Sequence, residues 1–173
     1  MIMLGIDPGF RFAGFGIIKK ENNRTFLLDH GYLKLPPKES IPVRTKLFYD
    51  FFKAKIIDFG VTKISLETPF LGKNPQNFLK LGYLRGILYL LSQQHNLEID
   101  EFSPRQVKRS LTGFGGATKE QVAFIICRLF PKIPKPKKDD VTDALAVTLC
   151  GLWNINPAKQ KTQLINHLQK RHT

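Results

Sequence analysis

The chain has 173 residues, 42% of them hydrophobic, which suits one globular domain with a substantial buried core. Its 27 lysines and arginines face 14 acids, a formal charge of +13 that repels itself in the compact state. Such a charge favours a polyanionic partner, nucleic acid ahead of a membrane surface. No apolar run approaches the roughly 18 residues of a membrane span, and Met1-Ile2-Met3 lacks a basic leader, so neither a transmembrane helix nor a signal peptide is expected. Cys127 and Cys150 lie in apolar stretches and read as core thiols of a reduced, cytoplasmic compartment. His30, His95, His167 and His172 are scattered without metal-ligand spacing and read as surface histidines.

Ile2 to Asp7 reads as an apolar strand with an acid at its carboxyl end, stopped by Pro8-Gly9. Phe12 to Ile18 returns as a hairpin strand whose glycines allow close approach to the turn, and residues 24–35 complete an antiparallel meander. From Pro42 to Phe59, Leu47, Phe48, Phe51, Phe52, Ile56 and Ile57 recur at helical spacing, and Gly60 ends the helix. Thr62 to Glu67 is a strand that again finishes on an acid. Asn74-Pro75 opens a helix to about His95 with a wide apolar face, Phe78, Leu79, Leu81, Leu84, Ile87, Leu88, Leu90 and Leu91. Gly82 and Gly86, one turn apart, leave a flat patch that either packs against the sheet or forms a contact between subunits. Leu97 to Phe102 is a further strand, and Pro104 starts a short basic helix broken at Gly113. Thr118 and Gln121 form a capping box for a helix to Phe130. A proline-rich, lysine-rich linker, 131–138, leads to a last helix over Asp139–Trp153, and residues 154–173 form a basic tail. The order β-β-β-α-β-α-β-α-α-α predicts an α/β fold, a five-stranded mixed sheet of meander plus parallel strands flanked by helices.

The acids carry the chemistry. A carboxylate among apolar residues is costly unless it faces a cleft or a cation. Asp7 alone reads equally well as a cap of its own turn. If the first and fourth strands are parallel neighbours, however, Asp7 and Glu67 emerge at one sheet edge, where α/β folds place their sites. Asp140 and Asp143 share a helix face, and a cation between them would offset their repulsion. Four oxygen donors without Cys or His suit Mg²⁺ or Mn²⁺. A pair of such ions activates water and stabilises the leaving oxygen of a phosphodiester. Arg105 and Lys108 share a basic helix face, and Lys119 stands at a capped helix start suited to a phosphate; each also reads as plain solvated surface.

The pattern resembles the bacterial RuvC-type Holliday junction resolvases. The resemblance rests on Leu4-Gly5-Ile6-Asp7-Pro8-Gly9, Glu67 with Phe70, Asn74, Leu79-Lys80-Leu81-Gly82 and Arg85-Gly86. It continues through Arg105-Gln106-Val107-Lys108, Gly113, Gly115, Ala117, Lys119, Gln121-Val122, Asp140 and Asp143-Ala144-Leu145-Ala146, and so covers residues 2–150. It implies an RNase H-like nuclease domain over 1–153 and a homodimer. It also implies paired symmetric nicks in four-way junction DNA during recombination and repair, leaving 5′-phosphate and 3′-hydroxyl ends. Asp7, Glu67, Asp140 and Asp143 would be the catalytic, metal-binding carboxylates, holding two Mg²⁺ ions, with Mn²⁺ as a substitute. Lys108 and Lys119 match a DNA-facing cleft, and Phe70 matches an aromatic that works on bases near the crossover. A branch-migration motor of the RuvA and RuvB type is the implied partner. The chain departs from the pattern in Phe10 and Ala13, where small hydroxyl residues are usual, in Asp139 as a rival ligand, and in the tail. Two rivals stand beside this reading. An actin-like ATPase would need a second domain, and a junction-binding scaffold would gain nothing from four acids facing phosphate.

Overall fold

The computed structural model describes residues 1–22, 24–69, 75–131 and 139–153. Strands β1 (Ile2–Asp7), β2 (Phe12–Glu21) and β3 (Arg24–Lys34) form the antiparallel meander. Helix α1 (Ile41–Phe59) ends at Gly60, whose φ of 58° is the left-handed cap conformation that glycine adopts without strain. The chain then crosses over to β4 (Lys63–Glu67), parallel to β1. Helix α2 (Pro75–Gln94) is the crossover to β5 (Glu98–Phe102), parallel to β4. The strand order is β3-β2-β1-β4-β5, the mixed sheet expected from the element order. Helices α3 (Pro104–Thr112), α4 (Lys119–Leu129) and α5 (Asp139–Trp153) follow. Both α3 and α4 start in full capping boxes, Ser103 with Gln106 and Thr118 with Gln121.

Alternation along β1 divides the core in two. Leu4 and Ile6 face one side, with Phe48 and Phe52 of α1 and Leu84 and Leu88 of α2. Met3 faces the other, where Leu145 and Leu149 of α5 meet Val122 and Ile126 of α4. Helix α5 lies almost on the backbone of β1 and β2. A Cβ at Gly5 would come within 2.6 Å of the Ala144 carbonyl, and one at Gly14 within 2.0 Å of the Asp140 carbonyl. The hairpin glycines thus serve the approach of a helix, where the sequence suggested approach to the turn. Thr148, fully buried, donates its hydroxyl to the Ala144 carbonyl at 2.7 Å, and Ser65 on β4 donates to the Val147 carbonyl at 2.7 Å.

The amphipathic readings of α1 and α2 need correction. Leu47 and Ile57 of α1 are exposed, and the core takes Phe48, Phe52 and Ile56. On α2 the core takes Leu84, Arg85, Leu88, Leu91 and Ser92, while Phe78, Leu79, Tyr83, Tyr89 and Leu90 stay exposed. A Cβ at Gly82 or Gly86 would meet nothing within 4 Å, so the glycine patch does not pack against the sheet. Cys150 is buried as expected, whereas Cys127 is only half-buried. Among the described residues no helix is long and apolar enough to cross a membrane.

Candidate active site

Parallel pairing puts Ile6 opposite Leu66, so Asp7 and Glu67, each the next residue, leave neighbouring strands at the same carboxyl edge. Neighbouring strands lie about 4.8 Å apart. Helix α5 begins at this edge. Gly14, the partner of Asp7 across the hairpin, leaves room for the first turn of α5 to rest on β2. That contact carries Asp140, and Asp143 one turn later, towards the strand-end acids.

The electrostatics record the convergence. The Asp7 carboxyl is pushed up from 3.8 to about 7, first by burial and then by Asp143, Asp140 and Glu67, with Lys119 opposing. Glu67 is also raised, by burial and then by Asp143, while Lys119 and Lys108 draw it down. Lys119, in the first turn of α4, donates to Asp143 Oδ2 at 2.8 Å. Glu67, Lys108, Lys119 and Asp143 line a cleft of about 180 Å³ whose apolar wall is Val107, Val122 and Ala146. Two lysines therefore sit in the same crevice as two acids.

Arg85 of α2 holds the edge from behind. Only 5% exposed, it donates through Nη1 to the Glu67 main-chain carbonyl at 2.8 Å and through Nη2 to Glu101 on β5 at 2.7 Å. Its Nη2 also lies 3.2 Å from the Tyr89 hydroxyl. Sequence reading gave Arg85 no role, because an arginine is by default exposed. The available signal was its position inside the Leu84, Leu88, Leu91 stripe of the buried face.

The other sequence-derived residues separate. Arg105 is exposed and outside the cleft that holds Lys108, its carbonyl 3.2 Å from where a Cβ of Gly115 would stand. Phe70, Asn74, the linker from Lys132 to Lys138 and the basic tail lie outside the described residues, as does the side chain of Asp139. Among the described residues no three His, Cys, Asp or Glu side chains converge closely enough to hold a metal ion as they stand. Repulsion between the carboxylates opposes a closer approach, and Lys119 holds Asp143 at 2.8 Å. The donor chemistry nevertheless fits a hard divalent cation, since four oxygen donors without Cys or His suit one, and the Asp7 carboxyl, raised to about 7 first by burial, is pushed further in that direction by Asp143, Asp140 and Glu67.

The family model of the crossover junction endodeoxyribonuclease RuvC matches residues 3–151. A relative of that name from Pelodictyon phaeoclathratiforme is 42% identical over 152 residues, 88% of this chain and 80% of the relative. Another, from Alkaliphilus oremlandii, is 39% identical over 150 residues, 87% of this chain and 92% of the relative. Among solved structures, Thermus thermophilus RuvC in complex with a Holliday junction substrate superposes with a TM-score of 0.82 at 25% identity, covering 88% of this chain and 93% of that one. The yeast mitochondrial Holliday junction resolvase shares the fold, with a TM-score of 0.63 at 16% identity over 86% of this chain and 76% of that one. With its RNase H-like sheet and a family match spanning residues 3–151, the chain belongs to the RuvC family of crossover junction endodeoxyribonucleases.

Proposed function

We propose that this protein is an endonuclease that resolves four-way DNA junctions in recombination and repair. It acts as a homodimer that nicks two equivalent strands symmetrically. One active site per nicked strand suits a two-fold protein on a junction with two-fold symmetry. The observation that carries this reading is the convergence of acids from β1, β4 and α5 beside Lys108 and Lys119, in a chain of net charge +13. A relative solved with a Holliday junction substrate supports the substrate class.

Asp7, Glu67, Asp140 and Asp143 would hold two Mg²⁺, or Mn²⁺ in their place. When bound, such ions supply Lewis acidity towards a phosphodiester oxygen and acidify a coordinated water. The chain's own side chains do the rest. Lys108 and Lys119 attract the backbone phosphate, and Val107, Val122 and Ala146 keep water from the cleft wall. Arg85 fixes the main chain at Glu67. The products carry 5′-phosphate and 3′-hydroxyl ends, Phe70 and Arg105 add DNA contacts, and a RuvA- and RuvB-type motor supplies branch migration in the cytoplasm. Residues 1–153 form the nuclease domain, with 154–173 as a basic tail.

The test is a labelled synthetic four-way junction beside linear duplex of the same arms, in Mg²⁺ and in chelator, with Glu67→Gln as control. Paired symmetric nicks on the junction alone, absent in chelator and in the variant, are expected. Tight junction binding without nicking in Mg²⁺ or Mn²⁺ would identify a scaffold instead.

A further inference from the structure

A second cavity, of about 420 Å³, meets the carboxylate group at Asp140, whereas the Lys108–Lys119 cleft meets it at Asp143. Three elements bring cations to it: Arg11 from the loop after β1, Arg44 from α1 and Lys80 from α2. Among the described residues Asp140 is the one acid in its lining, and none of the three cations forms an ion pair with a described residue. Three like charges converging on one cavity cost free energy unless an anion joins them.

Arg44 is also prepared for a ligand. Its guanidinium lies 4.3 Å from the ring centroid of Phe10, which holds the planar group in one orientation. Its Nε is buried without a hydrogen-bond partner, an unusual and costly state for an arginine donor. A planar, stacked guanidinium with a spare donor matches a phosphate in a way that a lysine does not. The chain thus orients Arg44 through the ring face of Phe10.

We infer that the Arg11–Arg44–Lys80 cavity is a second phosphate subsite, holding a backbone phosphodiester of the cut strand that flanks the one at the carboxylates. This rests on the junction-nuclease reading. A strand repeats its phosphate at every nucleotide, so a strand with one phosphate beside Asp140 presents the next to the adjoining cavity. Asp140 faces that phosphate from the acidic side and directs it towards Arg44. Together the two cationic cavities flank the carboxylates on both sides and fix the path of the strand.

Junction binding measured in chelator over a range of salt concentrations decides the matter. Each phosphate contact contributes about 0.9 to the slope of log affinity against log salt. Arg44→Gln and Lys80→Gln are each expected to bind more weakly and to lower that slope by about 1, while Lys53→Gln, about two and a half turns further along α1 and on its opposite, exposed side, leaves it unchanged. A junction with one uncharged methylphosphonate scanned through the linkages beside the cut should weaken wild type at a single linkage. Arg44→Gln should not distinguish that junction from the unmodified one. Wild-type slopes and unaltered methylphosphonate discrimination in both variants would overturn the subsite. Should Arg44→Gln fail to melt cooperatively, Lys80→Gln alone decides. An Arg44-dependent rise in melting temperature with inorganic phosphate, without any change in junction binding, would reassign the cavity to a free anion. Wild type that does not bind junctions at all would instead remove the nuclease reading and the subsite with it.

Discussion

Asp7 is the residue at which the cost of the site is concentrated. A free aspartate titrates near 3.8, whereas here burial and three neighbouring acids raise it to about 7. Between those values the folded chain keeps a proton that the unfolded chain releases, so this group's contribution to stability falls as pH rises from about 4 to about 7. Above pH 7 the full cost remains. Asp7→Asn removes it with the same shape. In chelator at pH 8 the variant should melt several degrees above wild type, and near pH 4 the two should coincide. Equal melting at pH 8 would mean that Asp7 is not under the stated electrostatic pressure. Because ion binding requires the ionised carboxylate, the Mg²⁺-induced rise in wild-type melting temperature should also shrink below about pH 7.

Elements were legible in the sequence to within a residue or two wherever hydrophobic period and punctuation agreed. Gly60, Pro104 and the Thr118–Gln121 box each stop or start a helix by a local mechanism that needs no tertiary context. That Asp7 and Glu67 share one edge was legible only on the condition that β1 and β4 are parallel neighbours, which the sheet supplies. Which face of α2 is buried was not. Apolar residues surround that helix, and its buried side combines Leu84, Leu88 and Leu91 with Arg85, whose partners only folding brings near. Arg85 joins α2 to the Glu67 carbonyl on β4 and to Glu101 on β5. Arg85→Met keeps the apolar stem but orphans both acceptors, a loss of roughly 2 kcal/mol. If Arg85 positions Glu67, nicking in the variant should fall far more than junction affinity, and Arg85→Lys should restore part of it. Parallel loss of affinity and nicking, unrelieved by lysine, would reduce Arg85 to a fold-stabilising residue.

At the scale of the whole molecule, the outward side of α2 stands apart. Leu79, Gly82, Tyr83, Gly86 and Leu90 lie on one helical stripe, with Leu79 51% and Leu90 49% exposed and open space above both glycines. Two such stripes could approach closely through their glycines, which makes this face the candidate contact of the proposed homodimer. Gly82→Leu offers a clean test, because the added side chain meets nothing within its own subunit and leucine favours the helix by up to about 1 kcal/mol over glycine. Sedimentation should show a monomer with undiminished melting temperature. A dimer that persists would move the contact elsewhere.

The bond from Lys119 to Asp143 gives ligand loading the character of an exchange. Without ligands, the ammonium is a resident counterion for an acid that would otherwise face three others unbalanced. On the proposed reading, a divalent ion held by Asp143 would displace that lysine, and a phosphate held by Lys119 would displace that acid. Each arrival removes the competitor of the other, so ion and DNA should tighten one another's binding by the same factor, as reciprocal linkage demands. The bridge between α4 and α5 thus works as a latch that either ligand loosens for the other. In the empty site Lys119 offsets part of the acidic charge, and on this reading the fully loaded state is favoured over both half-loaded ones.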